Sequence, residues 1–210
     1  MKFDSIAQDD FRQGVHRIAK AVGLTLGPAG RNVVIQKSYG GPSVTKDGVS
    51  VAKEVELPEP FQNMGAKMVH QVAKKTADVA GDGTTSATIL ADAIYCDGLR
   101  HITAGANPVT IQRGITAAAK VATEAVRSMA KECTQKSDLY KVSLVSSNHD
   151  VEIAEAISEA IDKVGGDGVV EVEEGKTADI TLDYVEGMAF DKGFLSPYFM
   201  TDPTSAECVL

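Results

Sequence analysis

The segment 80–90, AGDGTTSATIL, sets two glycines and an aspartate directly before three hydroxyl residues and an apolar run. Gly81 and Gly83 let backbone amides approach a ligand, because glycine accepts conformations that other residues resist. Thr84, Thr85 and Ser86 add hydroxyl donors where a helix would begin. A helix start exposes about four N–H groups without intrahelical partners, and the helix dipole is positive there. These features suit an anion such as a phosphate. Asp82 is the odd member, since a bare carboxylate repels phosphate unless a hard cation such as Mg²⁺ lies between them. Plain local structure also accounts for the same residues: Asp82, Thr84 or Thr85 as a helix cap, the glycines as a turn. The local pattern leaves both readings open. It lacks the G-x-x-x-x-G-K-[ST] spacing and is not a P-loop.

Two further loops could join this chemistry. Thr25, Leu26, Gly27 and Pro28 open the stretch TLGPAGR, which by itself reads as a helix-ending turn. Lys46 and Asp47 follow a β-branched run, and with Gly48 they read as a turn. Each acquires a chemical role only if all three loops converge.

The elements that would position them are legible in the apolar spacing. Ile6, Phe11, Val15, Ile18, Ala19 and Val22 predict a helix over 5–24. Val33 to Ile35 and Val44–Thr45 predict the two arms of a β-hairpin. A second helix is expected over 61–79, with Met64, Met68, Val72 and Thr76 on one face. A third covers about 84–104 and stops at Gly105 and Asn107-Pro108. A fourth covers about 109–131, where Ile111, Ile115, Ala118, Ala122, Ala125 and Met129 imply close helix packing. After Cys133 the texture changes. A helix over 150–164 is followed by expected strands at 169–172, at 180–185 and from Glu207.

Bulk composition narrows the function. The 210 residues are 43% apolar and 24% charged, enough for a real core. Net charge is -8, which argues against nucleic acid and anionic membranes as partners. No apolar run approaches a membrane span, and MKFDSIAQDD has neither a signal core nor a transit-peptide character. Cys96, Cys133 and Cys208 are odd in number and far apart, which fits a reducing compartment rather than a disulfide or zinc framework.

Six ordered motifs then carry a family resemblance. They are TLGPAGRNVVI (25–35), TKDGVSVAKEVEL (45–57), GAKMV (65–69), AGDGTTSAT (80–88), AGANP (104–108) and VEGMAFDKGFLSPYF (185–199). In order, they resemble the N-terminal part of a group I chaperonin, the ring-forming ATP-dependent folding machine of bacteria and organelles. Group II chaperonins share the GDGTT loop, but RNVVI after LGPAG looks like group I.

The resemblance implies a multidomain chain. Residues 1–128 would be a segment of an all-α equatorial domain with a β-hairpin. Residues 129–185 would be half of a small α+β intermediate domain, and 186–210 the beginning of an α/β apical domain. It implies that Thr25, Leu26, Gly27, Pro28 and Lys46 contact the nucleotide. Asp82 would ligate Mg²⁺, and Gly83, Thr84, Thr85 and Ser86 would form the phosphate-binding helix start. The backbone around Thr25, Lys46 and Thr85 would hold K⁺, and Asp47 would be the catalytic acid near the attacking water. Phe194, Tyr198 and Phe199 would touch non-native protein clients, and Gly187 would be a hinge. ATP, Mg²⁺ and K⁺ are the implied cofactors. The implied partners are a homo-oligomeric ring, double and seven-membered, and a small co-chaperonin lid. The implied location is the bacterial cytoplasm.

Two departures from the family pattern stand out. Ser86 replaces a usual Thr and keeps the hydroxyl; Glu132 stands where Pro is frequent, which would loosen the junction there. The larger departure is length, since family chains run to more than twice this one. The part without a counterpart here would carry the rest of the apical domain, the returning intermediate and equatorial segments, and the acid that activates water. On that expectation the full-length protein is a chaperonin ATPase and this chain alone turns over ATP very slowly or not at all. The alternative is a natural truncated fragment that binds nucleotide or partners without turnover.

Overall fold

The computed structural model describes residues 1–37, 40–133, 135–165, 168–173, 175, 180–185, 187, 193, 195–202, 204 and 208. The chain divides into two compact units, Met1–Lys131 and Glu132–Leu210.

The first unit contains α1 (Asp4–Gly23), β1 (Val33–Ile35), β2 (Ser43–Thr45) and α2 (Gly48–Glu54). It continues with α3 (Pro60–Ala80), α4 (Thr84–Thr103) and α5 (Pro108–Met129). Its core joins Val15, Ile18 and Val22 of α1, Val51 and Ala52 of α2, and Ala66, Val69 and Ala73 of α3. Burying a Val or Ile side chain stabilises a fold by about 1.5–3 kcal/mol, so these few positions anchor the unit. Small residues let α1 and α3 approach closely: a methyl at Gly14 would overlap the Gln62 carbonyl, and one at Gly65 the Phe11 carbonyl. The hairpin pairs Val33 with Thr45, Val34 with Val44 and Ile35 with Ser43. Val33 and Ile35 pack on the core, while Val34 and Val44 face out. Pro60 and Pro108 start α3 and α5 at positions where a missing N–H costs nothing, with Glu59 and Asn107 as side-chain caps.

In the second unit, α6 (Lys136–Ser146) packs on α7 (Val151–Val164). Lys136 pairs with Asp162 at 2.8 Å, and the Lys163 ammonium sits 3.4 Å from the centroid of the Tyr184 ring. Residues 197–199 form a single 3₁₀ turn. Among the described residues, no helix is long and apolar enough to cross a membrane.

The structure departs from the sequence expectations in five places. The face of α3 that is buried runs through Gln62, Gly65, Ala66, Val69 and Ala73, whereas Met64 and Met68 are exposed. The small residues win because α1 must come close, which bulky methionines would prevent. Helix α5 buries none of its residues, so Ala118, Ala122, Ala125 and Met129 are exposed rather than packed. The expected turn at Lys46–Gly48 is the start of α2, because Asp47 caps a helix that buries Val51 and Ala52. No element was expected over 136–146, where α6 forms against α7 with only Ser143 buried among its residues. Residues 169–172 and 180–185 form no strands. A strand needs a hydrogen-bonded partner, and Val169 and Val172 are 84% and 82% exposed. The strand expected from Glu207 lies almost wholly outside the described residues.

Candidate functional site

The three loops singled out by residue type meet at the start of α4. After α1 the chain turns tightly: the Thr25 N–H donates to the Val22 carbonyl at 3.0 Å and the Arg31 N–H to the Leu24 carbonyl at 2.7 Å. Gly27 takes a φ of 69°, the left-handed conformation that this turn requires. Thr25 is buried, and its Oγ1 donates to the Val22 carbonyl at 2.8 Å while lying 2.9 Å from Thr85 Oγ1. That hydroxyl pair joins the first loop to the third. Leu26, Gly27 and Pro28 are exposed beside it.

The second loop docks through Gly48. A methyl there would overlap Thr85 Oγ1 and reach within 2.9 Å of Thr84 Oγ1. Only glycine allows this approach, and it brings Lys46 and Asp47 to the same junction. Lys46 is half-buried and Asp47 exposed. Asp47 Oδ2 accepts the Ser50 N–H at 2.8 Å, and its own N–H donates to Thr45 Oγ1 at 3.1 Å.

The third loop reverses the chain between α3 and α4. Gly81 ends α3 at φ 72° and Gly83 opens α4 at φ 82°. Asp82 Oδ1 accepts the Gly83 N–H at 2.6 Å. Thr84 is buried, with its carbonyl accepting the buried Thr88 hydroxyl at 2.9 Å; Ser86 is exposed. Helix α4 has no side-chain cap. The capping role that Asp82, Thr84 and Thr85 could have played is therefore not taken, and the first-turn amides have no side-chain acceptor.

The residues at this junction fit an anion with a hard cation. Nothing lies within 4 Å of where a Cβ would stand at Gly27, Gly81 or Gly83, so the loops are open on that side. Among the described residues no group of three His, Cys, Asp or Glu could hold a metal alone. A magnesium ion asks less, since it is commonly bound through one or two carboxylates plus the substrate's phosphates. Asp82, with one oxygen tied to Gly83, has the other left for it.

Sequence reasoning missed Gly48 and Thr88 as supports of this site. Asp47 ahead of Val49, Val51 and Ala52 is a helix-cap signal that could have exposed α2. Elsewhere, Tyr198 and Phe199 are 99% and 59% exposed, and Gly187 takes a φ of 124°. Phe194 lies outside the described residues. The Cys96 thiol is pushed up from its ordinary range by burial and by its bond to Asp92, which suits an inert cysteine.

A sequence profile of the TCP-1/cpn60 chaperonin family matches residues 18–209. The chain belongs to that family. Two solved chaperonins resemble it. A group III chaperonin in the open state matches at 25% identity and a TM-score of 0.63, covering 75% of this chain and 31% of its own. The chaperonin gp146 from bacteriophage EL 2 (Pseudomonas aeruginosa), crystallised in the presence of ATP-BeFx, matches at 28% identity and the same TM-score. That match covers 76% of this chain and 28% of the phage protein. This chaperonin chain thus spans under a third of the length of these solved relatives, and as a mostly helical chain with a two-stranded sheet it resembles a chaperonin equatorial domain.

Proposed function

We propose that this chain is the ATP·Mg²⁺-binding part of a chaperonin subunit that folds non-native polypeptides in a ring. The observation that carries the reading is the uncapped start of α4, bonded through Thr85 to Thr25 of the loop after α1. Free amides, hydroxyls and a positive dipole end favour phosphate oxygens there. Thr84, Thr85 and Ser86 bind the phosphates; Thr25, Leu26, Gly27, Pro28 and Lys46 position the nucleotide; Asp82 holds Mg²⁺. The backbone around Thr25, Lys46 and Thr85 holds K⁺. ATP, when bound, supplies the phosphoryl group whose transfer to water drives domain movement. Asp47 orients that water from the cap of α2, with further acids supplied by chain beyond this one.

The same reading makes residues 1–128 an equatorial segment, 129–185 an intermediate segment and 186–210 the start of an apical domain. Gly187 serves as the hinge between the last two. The exposed Tyr198 and Phe199, with Phe194, bind clients by apolar burial. The six motifs favour group I, with a double seven-membered ring, a small co-chaperonin and a bacterial cytoplasmic setting. Calorimetric titration with ATP·Mg²⁺ tests the site. Asp82→Ala is expected to weaken binding at least tenfold without lowering the melting temperature, and unchanged affinity sinks the metal assignment.

A further inference from the structure

The loop between α1 and the hairpin closes on itself through four backbone bonds. The Thr25 N–H donates to the Val22 carbonyl at 3.0 Å, Leu26 to Gly23 at 3.2 Å, Gly30 to Gly27 at 3.0 Å and Arg31 to Leu24 at 2.7 Å. Among the described residues no donor reaches the carbonyl of Thr25. Leu26 and Pro28 are exposed and have water for theirs, whereas Thr25 is only 6% exposed. A buried carbonyl without a donor is costly, and it calls for a ligand. A carbonyl oxygen only accepts, so what satisfies it is a cation or a donor hydrogen. This orphaned oxygen at the nucleotide junction fits a monovalent cation.

Gly30 lies against that oxygen. A methyl on its Cα would stand 2.3 Å from the Thr25 oxygen, 2.6 Å from the carbonyl carbon and 3.0 Å from the Gly27 oxygen. All three atoms are backbone, held by the bonds of the loop, so no flexible side chain is there to yield. We propose that Gly30 is a positioning residue: by lacking a Cβ it keeps the Thr25 carbonyl in place and open to the monovalent cation of the nucleotide site. The proposal rests on the reading of that junction as a site for ATP·Mg²⁺ and K⁺. A Cβ at position 30 drives the Thr25 oxygen back by about 1 Å before contact becomes ordinary, and a binding constellation tolerates only about 0.5 Å. Gly30 is not among the glycines with positive φ, so alanine there meets this contact and no conformational strain. Its role therefore differs from that of Gly27, Gly81 and Gly83, whose left-handed turns have open space around them.

The test measures ATP·Mg²⁺ affinity by calorimetry in KCl and in choline chloride of equal ionic strength, for the wild-type chain and for Gly30→Ala, with a melting curve of each. The wild type is expected to bind several-fold more tightly in KCl. Gly30→Ala is expected to lose that gain, to match the wild type in choline chloride and to melt within a few degrees of it. Without nucleotide, the Thr25 carbonyl ¹³C signal of the wild type is expected to move with KCl and not with choline chloride, and to stay still in Gly30→Ala. A variant that keeps the full KCl gain, or that loses affinity equally in both salts, overturns the positioning role while the nucleotide reading stands. A variant that does not fold makes Gly30 a requirement of the fold and overturns that role too. A wild type that does not bind ATP·Mg²⁺ sinks the proposed function, and the Thr25 signal then decides whether Gly30 keeps that carbonyl open to K⁺. A wild type indifferent to KCl in both readouts removes the cation from Thr25 and the role of Gly30 with it.

Discussion

Helices α2 and α4 begin against each other, with Gly48 of one packed on Thr84 and Thr85 of the other. Their first turns face the same electrostatic problem. In α2 the chain answers it internally, since Asp47 accepts the Ser50 N–H. In α4 it does not: the residue at the cap is Gly83, and Asp82 turns back onto the Gly83 N–H rather than into the helix. Helices α3, α5 and α7 follow α2, with Glu59, Asn107 and Asp150 as caps. A glycine at the cap costs a helix start only about a few tenths of a kcal/mol relative to a capping side chain. Here the buried Thr84 and Thr88 hold α4 in place instead, and its first-turn amides meet no side-chain acceptor; α1 and α6 also start without a side-chain cap.

The largest blow to this pairing is Gly48→Val. Its side chain cannot fit between α2 and α4, and overpacking of that kind costs about 1–3 kcal/mol. Denaturant unfolding should show that loss, and calorimetry should show ATP·Mg²⁺ binding weakened more than tenfold. If affinity survives while stability falls, the docking of α2 is structural only. Next comes Thr85→Val, which keeps volume and removes the hydroxyl shared with Thr25. A lost neutral hydrogen bond costs about 1 kcal/mol, so a modest drop in stability and a several-fold loss of affinity are expected. Asp47→Ala then separates the two helix starts: α2 loses its cap, worth about 1 kcal/mol, while nucleotide affinity changes little and turnover in the full-length subunit falls.

The smallest effect concerns acid. The Glu59 carboxyl is held below its ordinary range, first by the Gln62 N–H and then by Lys2. A depressed carboxyl contributes stability above its unfolded pKa and loses it as pH falls through the folded one. Melting of the chain should therefore weaken as pH drops through and below the ordinary carboxylate range. In Glu59→Gln that acid limb should be shallower, and an unaltered limb would assign it to other carboxylates.

Much of the helical layout was legible because helix ends are written locally. Leu24 to Gly30, Gly81 to Gly83 and Gly105 to Pro108 stop one helix or start the next through glycine and proline geometry, with the Asn107 side chain capping α5. Residue types at 82–86 left an anion site and a plain helix cap equally open. Which face each helix buries was less legible. On α3 the methionine stripe and the small-residue stripe are both periodic, and only contact with α1 selects the second. On α5 a clear apolar face finds no burial among the described residues. Helix α2 hid behind a turn signal because Asp47-Gly48 serves a hairpin and a helix cap equally well.

Residue types and spacing were enough to mark the ends of α1, α3, α4, α5 and α7, the freedom of Gly81 and Gly83 to turn, and which hydroxyls and carboxylate could meet a phosphate and its cation. These are properties of single residues and their nearest neighbours. Only the tertiary structure decided that Thr25, Gly48 and Thr85 share one junction and that α4 is left uncapped there. Those depend on contacts between residues up to 60 positions apart, whose geometry is set by helix packing and not by any local preference.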